Sequence, residues 1–227
     1  MQKTIIINRP IISNRALAVT GCAFLIAYMV SEIIKRTLMH LGTLDTKGLL
    51  GALQSSDTMM AYSTVAIVLQ AIGVCAVPVF SYLITKAFVS CGTPPLYLLL
   101  TASAAVIIEI PYKLLFAQNI ALNPLFAVVI SLVMLYLLQK RGNKKILRLC
   151  IIFSALIWSL MLNIDSGILI TLLCVVFYFC KNNNALCAIT SSAALTLYSL
   201  YNIFYMFAPL CCILFFYCEK EKKYLQP

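Results

Sequence analysis

The sequence predicts an all-α protein: one polytopic transmembrane helix bundle of about eight spans, with seven as the fallback, filling residues 1–227 as a single integral membrane domain. Three observations carry this expectation. Apolar residues make up 63% of the chain and charged residues 11%, whereas soluble domains run about 45–50% and about 25%. The mean hydropathy is +0.98. The stretches Met59–Thr85, Ala87–Ile108, Leu114–Gln139 and Asn182–Cys218 each exceed 18 residues without a formal charge. That length lets a helix cross roughly 30 Å of hydrocarbon. An ordinary soluble domain and a disordered chain are both excluded.

The first span is expected at Ala16–Ile34. Arg15 precedes it, Lys35 and Arg36 follow, and no A-x-A-like cleavage site ends it, so it reads as an uncleaved anchor. A polar loop is expected over Lys35–Ala61. The second span is Tyr62–Thr85, which contains Gly73 and Pro78, the proline marking a kink. Cys91–Pro95 is a turn, and the third span, Leu96–Phe116, is expected to break at Pro111. Asn119–Pro124 turns the chain into a fourth span, Leu125–Gln139. The basic loop Lys140–Lys145 leads to a fifth, Ile146–Leu162. The polar turn Asn163–Gly167 leads to a sixth, Ile168–Cys180. The uncharged stretch Asn182–Cys218 would be about 55 Å long as one helix, so it divides near Ser199–Asn202 into two short spans. The charged segment Glu219–Pro227 follows.

Charge distribution sets the orientation. The net charge of +10 lies between spans rather than on one face, which argues against nucleic acid as a partner and for the lipid bilayer. With the N-terminus inside, thirteen basic residues fall on the inner side and four on the outer. The positive-inside rule then puts both termini in the cytoplasm and makes the span count even.

Ten cysteines contain no C-x-x-C pair, and His40 is the single histidine, so no metal site of the common Cys/His spacing is expected. Cysteines within apolar spans act as small polarizable hydrophobes. Charges at membrane depth are the candidate functional groups, because each must face protein or water. Glu109 lies in the third span with Lys113 four residues on, a spacing that shares a helix face. Glu32 ends the first span beside Lys35 and Arg36 and reads as an interfacial pair. Asp165 reads as a cap for the sixth span, His40 as a solvated loop residue, and Lys86 as reaching the inner headgroups.

Three blocks then resemble one family, the TraX-like membrane proteins. Ala71-Ile-Gly-Val-Cys-Ala-Val-Pro-Val-Phe80 is similar to its I-G-R-x-A-F-P-x-F segment. Ile108-Glu-Ile-Pro-Tyr-Lys-Leu-Leu-Phe116, followed by Asn123-Pro-Leu-Phe126, resembles S-E-I-P-F-D-L and N-x-F-F. Asn163-Ile-Asp-Ser-Gly167, running into Phe177-Tyr-Phe179, resembles the D-Y-G turn before the next span. The resemblance implies the cytoplasmic membrane of a bacterium and conjugation-type biology. Its implied activity is transfer of an acetyl or acyl group from a donor such as acetyl-CoA to an amine or hydroxyl of a peptide such as pilin.

Such a reaction needs a general base and an oxyanion stabiliser. The polar set retained comprises Glu109, Asp165 and Glu32 in catalytic roles and Asn123 and Lys113 in substrate binding, with a site expected where spans two, three and six converge. The family's first-span Asp-His pair falls on Ser31-Glu32 here, and no histidine lies in a span, so a carboxylate would act as base. Two alternatives stay open: a non-catalytic accessory or immunity-type relative, and a small transporter subunit with broken helices at Pro78 and Pro111. Direct pairing of Glu109 with Lys113 would favour the non-catalytic relative.

Overall fold

A computed structural model describes residues 12–38, 46–52, 57–90, 94–115, 121–141, 144–164 and 166–217. Helix α1, Asn14–Ile33, begins where the Ser13 hydroxyl accepts the Ala16 N–H at 3.2 Å, an N-cap that supplies one of the first-turn donors with an acceptor. The chain does not leave the helix at Ile34. It widens into a π-helical turn over Ile34–Leu38. The expected polar loop contains a short helix, α2, Thr46–Ala52. Helix α3, Asp57–Gly73, starts five residues earlier than the hydropathy placed it and carries Asp57 in its first turn, where a carboxylate suits the helix dipole.

The kink expected in the second span falls at Val74–Cys75, between α3 and α4, Ala76–Ser90. Pro78 sits in the first turn of α4, where its missing N–H costs no helix bond. The expected break at Pro111 does not occur. Helix α5, Pro94–Leu115, runs through it. With Pro111 one turn from the helix end, the lost backbone bond is close to the fraying terminus, and the helix continues past it.

Helices α6, Pro124–Arg141, α7, Lys145–Met161, and α8, Gly167–Cys180, follow in the expected order. The turn into α8 holds two non-glycine residues in the left-handed region, Asn163 (φ 46°) and Ser166 (φ 52°). Helix α9, Asn184–Ser199, is capped by Asn183, whose side chain accepts the Ala185 and Leu186 N–H groups. The uncharged stretch divides where the sequence placed the division. Asn202 caps a 3₁₀ turn over Ile203–Phe207 that continues as α10, Ala208–Cys211, and α11, Ile213–Phe216.

The described residues contain no strand. An isolated bridge joins Leu122 to Ile164. Four helical segments are long and apolar enough to cross a membrane: Asn14–Thr37, Asp57–Ser90, Pro94–Leu114 and Pro124–Arg141. Gly167–Cys180 and Ile203–Phe216 are apolar but shorter.

Helix α8 is the centre of the bundle. It packs against α4, α6, α7 and α9, and its composition is apolar on every side because every side meets another helix. One core lies between α8, α4 and the C-terminal segment, where the Tyr82 ring stacks on Phe215 at 4.7 Å and meets Phe177 edge-on at 5.3 Å. A second lies between α6, α7 and α8 around Leu132, Leu135, Ile170 and Cys174. A hydroxyl chain crosses it: Ser159 and Thr171 share a hydrogen bond at 2.8 Å, and Ser131 donates to Thr171 at 3.3 Å. Such bonds between membrane helices average about 0.6 kcal/mol. By contrast α5 leaves Leu99, Val106, Ile107 and Ile110 exposed along most of its length, an apolar surface suited to lipid.

The helix ends sort by charge. The Ile12 N–H donates to the Tyr217 carbonyl at 3.2 Å, so the described chain starts and finishes at one end of the bundle. Lys86, at the end of α4, donates to Asn14 Oδ1 at 2.9 Å, at the same end. The Leu122 N–H donates to the Asn163 carbonyl at 3.1 Å, so α6 and α8 begin side by side and carry Arg141 and Lys181 to a common end. Cys22, Cys75, Cys150, Cys174, Cys180, Cys187, Cys211 and Cys212 are free thiols.

Candidate functional site

Two polar clusters lie at the end of the bundle where α1 finishes. The first sits between α1 and α3. Glu32, on the last turn of α1, forms an ion pair with Lys35, the second residue of the π turn. The sequence placed this pair at the interface. In the structure Glu32 is 2% exposed and Lys35 0%, because the helix continues past Ile34 and folds Lys35 inward against α3. Lys35 Nζ also donates to Gln70 Oε1 on α3 at 3.3 Å.

An ammonium only donates, so the oxygen of the Gln70 amide must face it. That leaves Gln70 Nε2, a buried donor, without an acceptor among the described residues. Ser31 donates to the Ala66 carbonyl at 2.8 Å and pins α1 to α3 one turn away. The helices can approach this closely because α3 turns a narrow stripe toward α1: Ser63, Ala66, Gln70 and Gly73 are all buried. A Cβ on Gly73 would stand 2.6 Å from the Tyr28 Cα.

The second cluster joins α5 to the start of α6. Glu109 Oε2 accepts from the Asn123 side chain at 2.7 Å and from the Asn123 backbone N–H at 3.2 Å. Asn123 Nδ2 donates further to the Ala105 carbonyl at 2.9 Å, and its Oδ1 accepts the Leu125 N–H at 2.9 Å, capping α6. Lys113 Nζ lies 3.3 Å from Glu109 Oε1, with the lysine side chain 59% exposed and the glutamate 16%. The expected pairing of Glu109 with Lys113 is therefore made. The site expected at spans two, three and six takes a different form: α5 packs on α6, and the start of α6 meets the turn before α8 through Leu122 and Asn163.

A family model described as TraX protein matches residues 28–223. The chain belongs to the TraX family. No curated protein and no solved structure matches it. Both polar clusters of this TraX-family chain fall inside the match, and Ser31 and Glu32 lie just inside its first edge.

Of the residues singled out from the sequence, Glu109, Asn123 and Lys113 come together, and Glu32 stands apart from them on α1. Asp165 and His40 lie outside the described residues, so the expected cap at Asp165 does too. The residue preceding α8 is Ser166, which makes no side-chain cap bond; its hydroxyl instead shares a hydrogen bond with Tyr205 at 2.9 Å. Sequence reasoning missed Gln70. As an uncharged residue in an apolar run it gave no charge signal, but its place in the Ser63, Ala66, Gln70, Gly73 spacing of one helix face was readable. Among the described residues no three His, Cys, Asp or Glu side chains gather as metal ligands.

Proposed function

We propose that this TraX-family protein is a membrane acyltransferase whose reacting centre is Glu32, Lys35 and Gln70. The supporting observation is the burial of a carboxylate and an ammonium together in an apolar bundle, with an amide donor left over. A buried ion pair contributes little net stability, because desolvation offsets its attraction. An ionisable pair at membrane depth is therefore evidence of function by default. The π turn that carries Lys35 adds weight, since such turns recur at functional sites.

The chemistry follows from the donor set. An amine or hydroxyl of the acceptor attacks the thioester carbon of an acyl donor such as acetyl-CoA. Glu32 takes the acceptor's proton, and Gln70 Nε2 with Lys35 donates to the oxyanion. The carbon–sulfur bond then breaks, and the proton passes to the leaving thiolate. A peptide N-terminus such as that of pilin fits the acceptor role. In this reading Glu109, Asn123 and Lys113 position the α5–α6 corner. Eight crossings with both termini in the cytoplasm of a bacterium match the shared end of Ile12 and Tyr217 and the basic residues gathered there.

A second reading, a non-catalytic accessory protein, draws on one observation: both candidate carboxylates are held by a lysine, Glu32 by Lys35 and Glu109 by Lys113. One experiment separates the two. Purified protein in nanodiscs is given labelled acetyl-CoA and peptides with free N-termini. The acyltransferase reading expects transfer that is lost in Glu32→Gln and Gln70→Leu and retained in Glu109→Gln. Transfer that survives Glu32→Gln would overturn the site. No transfer by the folded wild type to any acceptor would leave the accessory reading.

A further inference from the structure

A cleft lies at the basic end of the bundle. It is small, about 30 Å³, and opens between the end of α4, the end of α8 and the start of α9, lined by Tyr82, Thr85, Lys86, Phe177, Lys181 and Asn184. Its floor is apolar and fixed, because Tyr82 and Phe177 belong to the stacked ring cluster with Phe215. Its rim is cationic. Lys86 is half-buried, bonded to Asn14, with its ammonium 5.5 Å from the centre of the Tyr82 ring. Lys181 lies with its ammonium 4.9 Å from the Tyr178 ring centre. None of the residues lining the cleft is acidic.

Lys86 at the end of α4 and Lys181 just past the end of α8 both line this cleft. Like charges brought together repel, and no lining carboxylate offsets them. Val89, the buried Thr85, whose hydroxyl donates to the Ser81 carbonyl at 2.8 Å, and the buried Asn184 at the first turn of α9 complete the wall.

We propose that this cleft binds a phosphate group at the membrane surface, with Lys86 and Lys181 as its charge partners and the Asn184 side chain as hydrogen-bond donor. Two sources carry that chemistry: the headgroup of an anionic phospholipid in the adjacent leaflet, or a phosphate of a soluble, nucleotide-bearing molecule such as coenzyme A. The site is at the opposite end of the bundle from Glu32 and does not depend on acyl transfer.

The test uses the purified full chain in detergent micelles and follows its thermal unfolding midpoint. Dioleoylphosphatidylglycerol, coenzyme A and inorganic pyrophosphate are titrated separately, with dioleoylphosphatidylcholine as the zwitterionic control. A saturable rise is expected with at least one anionic probe and not with the control. Response to phosphatidylglycerol alone assigns the lipid source; response to coenzyme A and pyrophosphate assigns the soluble one. Lys86→Gln and Lys181→Gln should each raise the half-saturating concentration about fivefold, and the double variant about 25-fold. The Lys→Arg variants should stay within about twofold of wild type, because the charge is kept. No saturable response to any anionic probe, or an unchanged half-saturation in the double variant, overturns the proposal. If the glutamine variants fail to fold, the wild-type titration is repeated at rising sodium chloride. A response that does not weaken with salt overturns it equally.

Discussion

The Glu32–Lys35 pair makes a sharp energetic prediction. Lys35→Met removes the Lys35 ammonium from the Glu32 carboxylate, which is 2% exposed. Glu32→Gln leaves the Lys35 ammonium at 0% exposure, with Gln70 Oε1 at 3.3 Å as its recorded acceptor beyond the lost carboxylate. Each single change should destabilise the folded protein by about 3 kcal/mol, the low end of what removing one partner of a buried pair costs. The double variant removes both charges and leaves a neutral amide beside an apolar chain of nearly the same length. It should lie within about 1–2 kcal/mol of wild type, so the coupling energy should be about 4 kcal/mol in magnitude.

Reversible unfolding in mixed micelles, with sodium dodecyl sulfate as denaturant, reads all four proteins on one scale. Single-variant losses that simply add in the double variant, within about 0.5 kcal/mol, would refute a direct buried pair. Recovery of stability without recovery of acyl transfer would separate the two roles of these residues. The pair would then be dispensable for folding and needed for chemistry.

Three further outcomes follow from the geometry. Gly73→Ala places a methyl 2.6 Å from the Tyr28 backbone, which cannot yield, and should destabilise by about 1–3 kcal/mol in the same unfolding assay, whereas Gly51→Ala, with open space around it, should not. Asn123→Ala removes the α6 cap and the bonds to Glu109 and Ala105 and should cost about 1–2 kcal/mol; Glu109→Gln, which keeps an acceptor for Asn123, should cost less than half of that. Reporter fusions after Lys145 and after Lys223 should both read cytoplasmic, and an external signal at Lys223 would force an odd span count.

The segmentation of the chain was legible because it depends on quantities that a sequence states directly. Charge-free runs and polar turns mark helices and their joints, which is why the division at Ser199–Asn202 reappears as the Asn202 cap. The arrangement of those helices was not legible. In a soluble bundle a polar face points away from the core, but α8 carries apolar residues on all sides, so nothing in its pattern says that it stands at the centre among α4, α6, α7 and α9. Pro111 misled for a related reason. Proline removes one donor, but its effect depends on how much helix follows it, and here four residues do.

The charged residues were only half informative. Burial in an apolar medium obliges each charge to find a partner, and the spacing of Glu109 with Lys113 and of Glu32 with Lys35 names those partners correctly. What spacing leaves open is depth. Lys35 follows a run of apolar residues and so reads as the first residue outside the membrane. Its depth is decided by the next element, since the stripe of Ser63, Ala66, Gln70 and Gly73 draws α3 against α1 and offers Gln70 as an acceptor inside the interface. A stripe of uncharged residues on one helix thus lets a lysine on another lie in the core. The two carboxylates that look alike in the sequence therefore differ in kind. Glu109 shares its lysine with solvent and caps a corner, while Glu32 holds its lysine in a closed polar pocket beside a donor that still lacks an acceptor. That asymmetry, and not the identity of the residues, is what makes Glu32 the stronger candidate for chemistry.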